Sequence, residues 1–239
     1  MSIGIMQPYF FPYLGYISLI KHTDRFILFD PVQFIRHGWI ERNRILKPSD
    51  GWQYIQVPLI KSDGRATLIK DIRINNRDNW KLKIAAQLQH YKKKAPYYNV
   101  VMDLLDDVFS FEYEDITSLN KKALQAVCSY LGIKRELEVY SHMNLSIDEV
   151  NAPDEWALNI CKALGIVDEY VNPIGGLSFF DVEKYHNAGI NIKFIKSDLP
   201  EYNQKRERFE EGLSILDVMM WNSPEQTNDM LDKITYITA

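Results

Sequence analysis

The chain has 239 residues, and 28 Lys and Arg against 32 Asp and Glu leave a formal charge of −4. That balance argues against a coat for nucleic acid, which needs a strong basic excess to displace counterions, yet it leaves room for a local basic pocket. The 46% apolar and 25% charged fractions suit a globule rather than a disordered chain, and the unusual count is aromatic: 14 Tyr, 11 Phe and 5 Trp.

Residues 2–7 read as a short apolar strand ended by Pro8. Residues 15–22 have helical spacing at Tyr16, Ile17 and Ile20, and residues 25–29 form a second apolar run that stops at Asp30-Pro31. Two short strands around one helix predict a βαβ unit with a parallel pair. The loops that follow the strand ends, residues 7–14 and 30–45, are where such sheets bind ligands. Residues 52–59 alternate as a strand; a turn at Asp63-Gly64 makes residues 68–74 its expected hairpin partner. Helices are expected over 79–93, 100–108 and 116–131, the last stopped by Gly132. A short strand at 136–140 precedes helices over 153–164 and 181–187 and a strand at 191–195. Ser223-Pro-Glu-Gln226 opens a final helix with the pattern of a capping box. The order predicts a mixed α/β fold in a single domain over residues 1–239. It has an N-terminal Rossmann-like βαβ unit and a helical middle lobe at 78–131.

Neither Cys128 nor Cys161 belongs to a disulfide framework or a zinc pattern, and each shares a helix face with apolar residues, so both are expected in the core. The five histidines lie far apart and no His/Cys pair has ligand spacing, so no metal is expected. The amino-terminal stretch lacks a basic region and is broken by Pro8 and Pro12, which reads against a signal peptide. No stretch approaches the apolar length of a membrane span, and a cytoplasmic location is expected.

Chemistry-bearing side chains gather in residues 7–44. Gln7 follows one strand and Asp30 the other, and Gln33, Arg36, His37, Trp39, Arg42, Asn43 and Arg44 follow in one loop. Arginine grips phosphate oxygens through its planar fork. Trp39, Tyr9 and Tyr13 offer flat faces for a base or sugar ring. Asp30 and His37 are the candidate catalytic groups, able to position an amine or take its proton. A solvated loop over an aromatic mini-core fits the same residues. Other candidate contacts are Tyr91 within His90–Lys94, Asn172 and Ser178 around Gly175-Gly176, and Tyr202 and Gln204 after Pro200. The layout of strand, proline, Tyr13-Leu-Gly-Tyr16 helix start and second strand also resembles nucleotidyltransferases of the HIGH-motif superfamily, with tyrosine at both histidine positions of H-x-G-H.

A more extensive resemblance is carried by Met6-Gln-Pro-Tyr-Phe-Phe-Pro-Tyr-Leu-Gly-Tyr16, Asp30-Pro-Val-Gln33-Phe34 and Trp39-Ile-Glu-Arg42-Asn43-Arg44-Ile45. It continues with Tyr91-Lys-Lys-Lys-Ala-Pro96-Tyr97-Tyr98, Tyr202-Asn-Gln204 with Phe209, and Leu213-Ser214-Ile-Leu-Asp217. In this order over nearly the whole length, the chain resembles the WbqC-like protein family; Met6 departs from it, where many relatives have histidine. Members are often encoded among genes for O-antigen and other surface polysaccharides. The resemblance implies a cytoplasmic enzyme that acts on an activated sugar by transferring an acyl or aminoacyl group to an amino sugar. Its partners would then be a nucleotide sugar or other small phosphorylated ligand and a coenzyme- or carrier-linked acyl donor, with an acyl carrier protein as one source. A nucleotidyltransferase-like enzyme and a non-catalytic sugar-nucleotide binding protein are the alternatives.

Overall fold

The computed structural model describes residues 1–60 and 67–238. Strand β1 (Ser2–Met6), helix α1 (Leu14–Lys21) and strand β2 (Arg25–Leu28) form the expected βαβ unit. The two strands pair in parallel from Ile3 opposite Arg25 to Met6 opposite Leu28. Strand β5 (Leu137–Val139) extends the sheet beyond β2, again in parallel. On the other side of β1 lie β6 (Glu169–Pro173) and β7 (Asn191–Ser197), both parallel, and β8 (Ile234–Thr238), which runs antiparallel to β7. The resulting order is β5-β2-β1-β6-β7-β8. The chain therefore builds outward from β1 in one direction and returns to build outward from β6 in the other. The carboxyl ends of β1 and β6 flank that reversal, the position at which open α/β sheets bind ligands.

Side chains alternate across the sheet as strand geometry requires. Phe26 and Leu28 enter a core shared with α1, and Ile27 enters a second core with Ile3 and Ile5. Helices α2 (Trp80–Leu88), α3 (Tyr98–Phe109), α4 (Ile116–Tyr130) and α7 (Ile215–Trp221) contribute to the first core. Helices α5 (Glu155–Leu164) and α6 (Val182–Asn187) cover the second. At Gly4 a Cβ would lie 2.9 Å from Phe26 Cδ2 and 3.4 Å from Leu19 Cγ, so only glycine lets α1 sit this close to β1. Cys128 and Cys161 are buried in the two cores, and burial pushes both thiols up to about 12. The capping box of α8 (Pro224–Leu231) is present, with Ser223 and Gln226 exchanging hydrogen bonds of 2.9 and 3.1 Å.

Two expectations are corrected. Residues 42–46 do not belong to a loop: Arg42–Leu46 is strand β3, antiparallel to β4 (Trp52–Gln56) in a separate two-stranded sheet. The short connection at 47–51 closes this hairpin through the Lys47 N–H bond to the Gly51 carbonyl. Residues 68–74 are consequently not the hairpin partner. They form a single 3₁₀ turn at Ile69–Asp71, with isolated bridges from Leu68 to Gln33 and from Ile74 to Leu59. The Asp63-Gly64 turn lies outside the described residues. Strands β6 and β8 and helix α7 have no counterpart in the sequence reading.

Candidate functional site

The carboxyl ends of β1 and β6 open into a crevice of about 510 Å³. Met6 and Pro173 form its floor at the strand ends. Tyr9 and Tyr13 enter from the first loop, and Trp39, Asn43 and Arg44 from the second. Leu199, Glu211 and Gly212 make the far wall.

Buried polar side chains hold the two loops together. Asn43 is buried on the inner face of β3 and donates through Nδ2 to the Phe10 and Phe11 carbonyls at 3.1 and 3.0 Å. Asn120, fully buried on α4, donates through Nδ2 to the Pro8 carbonyl of one loop at 2.7 Å and the Ile40 carbonyl of the other at 2.9 Å. The Phe10 N–H donates directly to the Trp39 carbonyl at 2.9 Å. Phe11 sits at φ +38°, a left-handed conformation unusual for a side chain of this bulk. It is held there by its fully buried ring and by a second donor on its carbonyl, the Ser214 Oγ at 2.7 Å. Leu199 on the far wall is also left-handed, at φ +46°.

The crevice offers one cation among flat rings. The Arg44 guanidinium lies 5.6 Å from the Trp39 ring and 5.2 Å from the Trp52 ring, and donates to the Gly212 carbonyl at 3.0 Å. Gly212 has φ +62°, a conformation that favours glycine, and a Cβ there would lie 3.1 Å from Arg44 Nη2. Burial raises the Tyr9 and Tyr13 hydroxyls above their ordinary range, which keeps them protonated donors near neutrality. Arg42 shares its strand face with Arg44 but diverges. Its guanidinium stacks 4.0 Å from the Tyr54 ring and donates to the His37 carbonyl.

The other sequence candidates lie elsewhere. Asp30 is 1% exposed, and its carboxylate accepts from the Ser141 N–H at 3.1 Å and Oγ at 2.6 Å. His37 is exposed on a neighbouring cleft of about 200 Å³, where its N–H donates to Glu41 at 2.6 Å. Burial there raises the Glu41 carboxyl. Gln33 is exposed and bridged to Leu68. The Gln7 carbonyl accepts from Tyr16, whose ring is 1% exposed and does not line the crevice; only Tyr13 of the two tyrosines likened to H-x-G-H does. Asn172 supports the floor from below, accepting from Tyr170 and donating to the Pro173 carbonyl, both at 2.9 Å. Ser178 is exposed on the turn before α6 and lines neither cleft.

Tyr91 and Tyr202 converge on Asp217, which the sequence reading placed in the family motif without assigning it a role. This carboxylate is fully buried and accepts from Tyr202 at 2.7 Å, from Tyr91, and from the Leu46 N–H at 3.3 Å. Burial raises the Asp217 carboxyl, and burial with the facing charge raises both tyrosine hydroxyls well above their usual range. Gln204 staples the adjoining loop through paired bonds of 2.8 and 2.9 Å with the Glu210 backbone. Asn120, Leu199, Glu211, Gly212 and the role of Ser214 were also missed. For Asn120 a signal existed: an amide on a buried helix face that is otherwise apolar except for Thr117, with Ile116, Leu119, Ala123, Leu124, Val127 and Cys128.

An uncharacterized protein of Mycobacterium tuberculosis (strain ATCC 25618 / H37Rv) is 29% identical over 220 residues, covering 91% of this chain and 92% of that protein. No solved structure gives a significant match. Among the described residues no helix is long and apolar enough to cross a membrane. The model of one family aligns with residues 7–229, which takes in both site loops, the Asp217 network and all but one strand of the main sheet that follows them, and the chain belongs to that family, the WbqC-like protein family.

Proposed function

We propose that the crevice at the ends of β1 and β6 binds a nucleotide-linked amino sugar, and that the protein transfers an acyl or aminoacyl group to its amine. The observation that carries this reading is that Arg44, Trp39, Tyr9 and Tyr13 line one crevice at the sheet's topological reversal, with the guanidinium 5.6 Å from the Trp39 ring. The guanidinium fork suits a diphosphate. The rings suit the faces of a sugar or base, and the two neutral hydroxyls suit sugar oxygens.

In the transfer, the amine nitrogen attacks the acyl carbonyl, the C–N bond forms, and the thiol or phosphate leaving group departs with the electron pair of its broken bond. The amine loses a proton, which a nearby base must accept. Glu211 is the carboxylate that lines the crevice, and we assign it that role. Asp30 is engaged by Ser141, and His37 opens on the neighbouring cleft. The donor is coenzyme- or carrier-linked, so an acyl carrier protein is a natural partner.

The test is incubation with uridine- and thymidine-diphosphate amino sugars and a panel of coenzyme- and carrier-linked acyl donors, read by mass spectrometry. The expected result is an acyl mass gain on one sugar, lost in Arg44→Ala and slowed in Glu211→Gln with sugar binding retained. Tight sugar-nucleotide binding without turnover by any pair would refute the transfer and leave a binding protein. Pyrophosphate release from a nucleoside triphosphate and sugar phosphate would instead support nucleotidyl transfer.

A further inference from the structure

A second and larger cleft, of about 780 Å³, lies between the segment that follows α2 and the loop at 204–208. Its walls carry Lys94, Lys205, Arg206 and Arg208 against the carboxylates of Asp50 and Glu207. The cleft is thus locally basic in a chain whose net charge is −4. This potential is felt by His90, which also lines it: burial, and after it the neighbouring Arg206 and Lys94, hold the ring below the usual histidine range.

The cations are not equivalent. Arg206 donates to the Gly51 carbonyl at 3.2 Å and to the Lys47 carbonyl, which pins the loop against the β3–β4 connection. Buried Gln204 closes the other side of the loop on Glu210. Lys94, Lys205 and Arg208 form no ion pair among the described residues and remain available on this fixed frame. A second observation is independent of charge. Trp221, at the end of α7, lines the cleft, and its indole N–H lies buried behind that wall with no hydrogen-bond partner among the described residues. The indole is a donor only, and a buried donor left unpaired is uncommon in folded proteins.

We infer that this cleft binds the phosphate groups of a small molecule, at a site separate from the Arg44 crevice. Lys94 and Arg208 supply the charge, and the Trp221 ring supplies part of the wall. The loop that carries Lys205 and Arg208 continues directly into Glu211 and Gly212, so an occupant of the cleft braces the far wall of the crevice.

The experiment is isothermal titration calorimetry of the intact protein with inorganic pyrophosphate and with adenosine diphosphate. The expected result is a site that persists with the same affinity in Arg44→Ala, whether or not the Arg44 crevice takes up the probe as well, and that is weakened at least tenfold in the exposed double variant Lys94→Ala/Arg208→Ala. Tighter binding of the nucleotide would identify a nucleotide-linked occupant and tighter binding of pyrophosphate the free ion. No binding at millimolar probe, equal binding by the double variant, or loss of the site in Arg44→Ala instead would each overturn the assignment.

Discussion

Asn120 is the sharpest test of how the crevice is built. Its side chain is fully buried, and both hydrogens of its amide are committed, one to Pro8 in the first loop and one to Ile40 in the second. Replacement by alanine leaves two buried carbonyls without these donors, at about 1–3 kcal/mol each. The loss is partly offset, because Asn120 Oδ1 is buried with no partner among the described residues and its removal recovers roughly 1 kcal/mol. The net destabilisation is therefore about 1–5 kcal/mol, a fall in Tm of roughly 2–20 °C for a chain of this size. Differential scanning calorimetry of Asn120→Ala against wild type measures it directly. Asn120→Asp sharpens the point: it preserves shape but has at most one hydrogen to donate, so it should rescue little of the loss. A change in Tm below about 2 °C for Asn120→Ala would refute the reasoning, since two truly orphaned carbonyls cannot cost so little.

Ser214→Ala removes both the cap of α7 and a donor to the Phe11 carbonyl, and should cost about 1–3 kcal/mol in a urea melt. Gly4→Ala forces a methyl against Phe26 and Leu19 and should cost about 1–3 kcal/mol by overpacking, read as a lowered Tm. Asp217 makes a prediction in pH. Burial raises its folded-state carboxyl above the ordinary 3.8, so its contribution to stability is full below that value and is lost as pH rises through the raised one. Asparagine does not titrate, so the stability advantage of wild type over Asp217→Asn should widen as pH falls from 7 toward 4. Paired urea melts at the two ends would reject the argument if the gap narrowed.

The βαβ unit was legible because apolar runs bounded by Pro8 and Asp30-Pro31 leave few other readings. Strand β3 was not, and Asn43 is the reason. Its position points inward and would carry an apolar residue in an ordinary strand; it carries an amide because it must bind the Phe10 and Phe11 carbonyls. With Arg42 and Arg44 on the other face, no alternation of hydrophobicity survives. Asp30 drew attention because it follows a strand, but β5 lies beside β2 and delivers Ser141 to its carboxylate. That contact depends on a pairing across more than a hundred residues that no local pattern announces. The same holds for the far wall of the crevice, which reaches Met6 and Tyr9 from Leu199, Glu211 and Gly212.

Among the residues that sequence reasoning missed, the polar side chains that point inward share one cause, and it lies in how the crevice is held open. Loops after strand ends cannot satisfy their own carbonyls by sheet pairing, and buried carbonyls left unpaired are costly. Asn43, Asn120 and Ser214 supply those donors from β3, α4 and the start of α7, and Asn43 and Ser214 together hold the carbonyl of Phe11 in a conformation its own chemistry disfavours. Asp217 does related work one turn further along α7, drawing Tyr91, Tyr202 and the Leu46 N–H onto a single carboxylate. Three of these four side chains lie in the segments that carry the family resemblance, Asn43 beside Arg44 and Ser214 with Asp217. A motif of this kind is therefore read more economically as the frame of a site than as its reactive groups, and the rings and guanidinium that face the crevice are what the frame exists to aim.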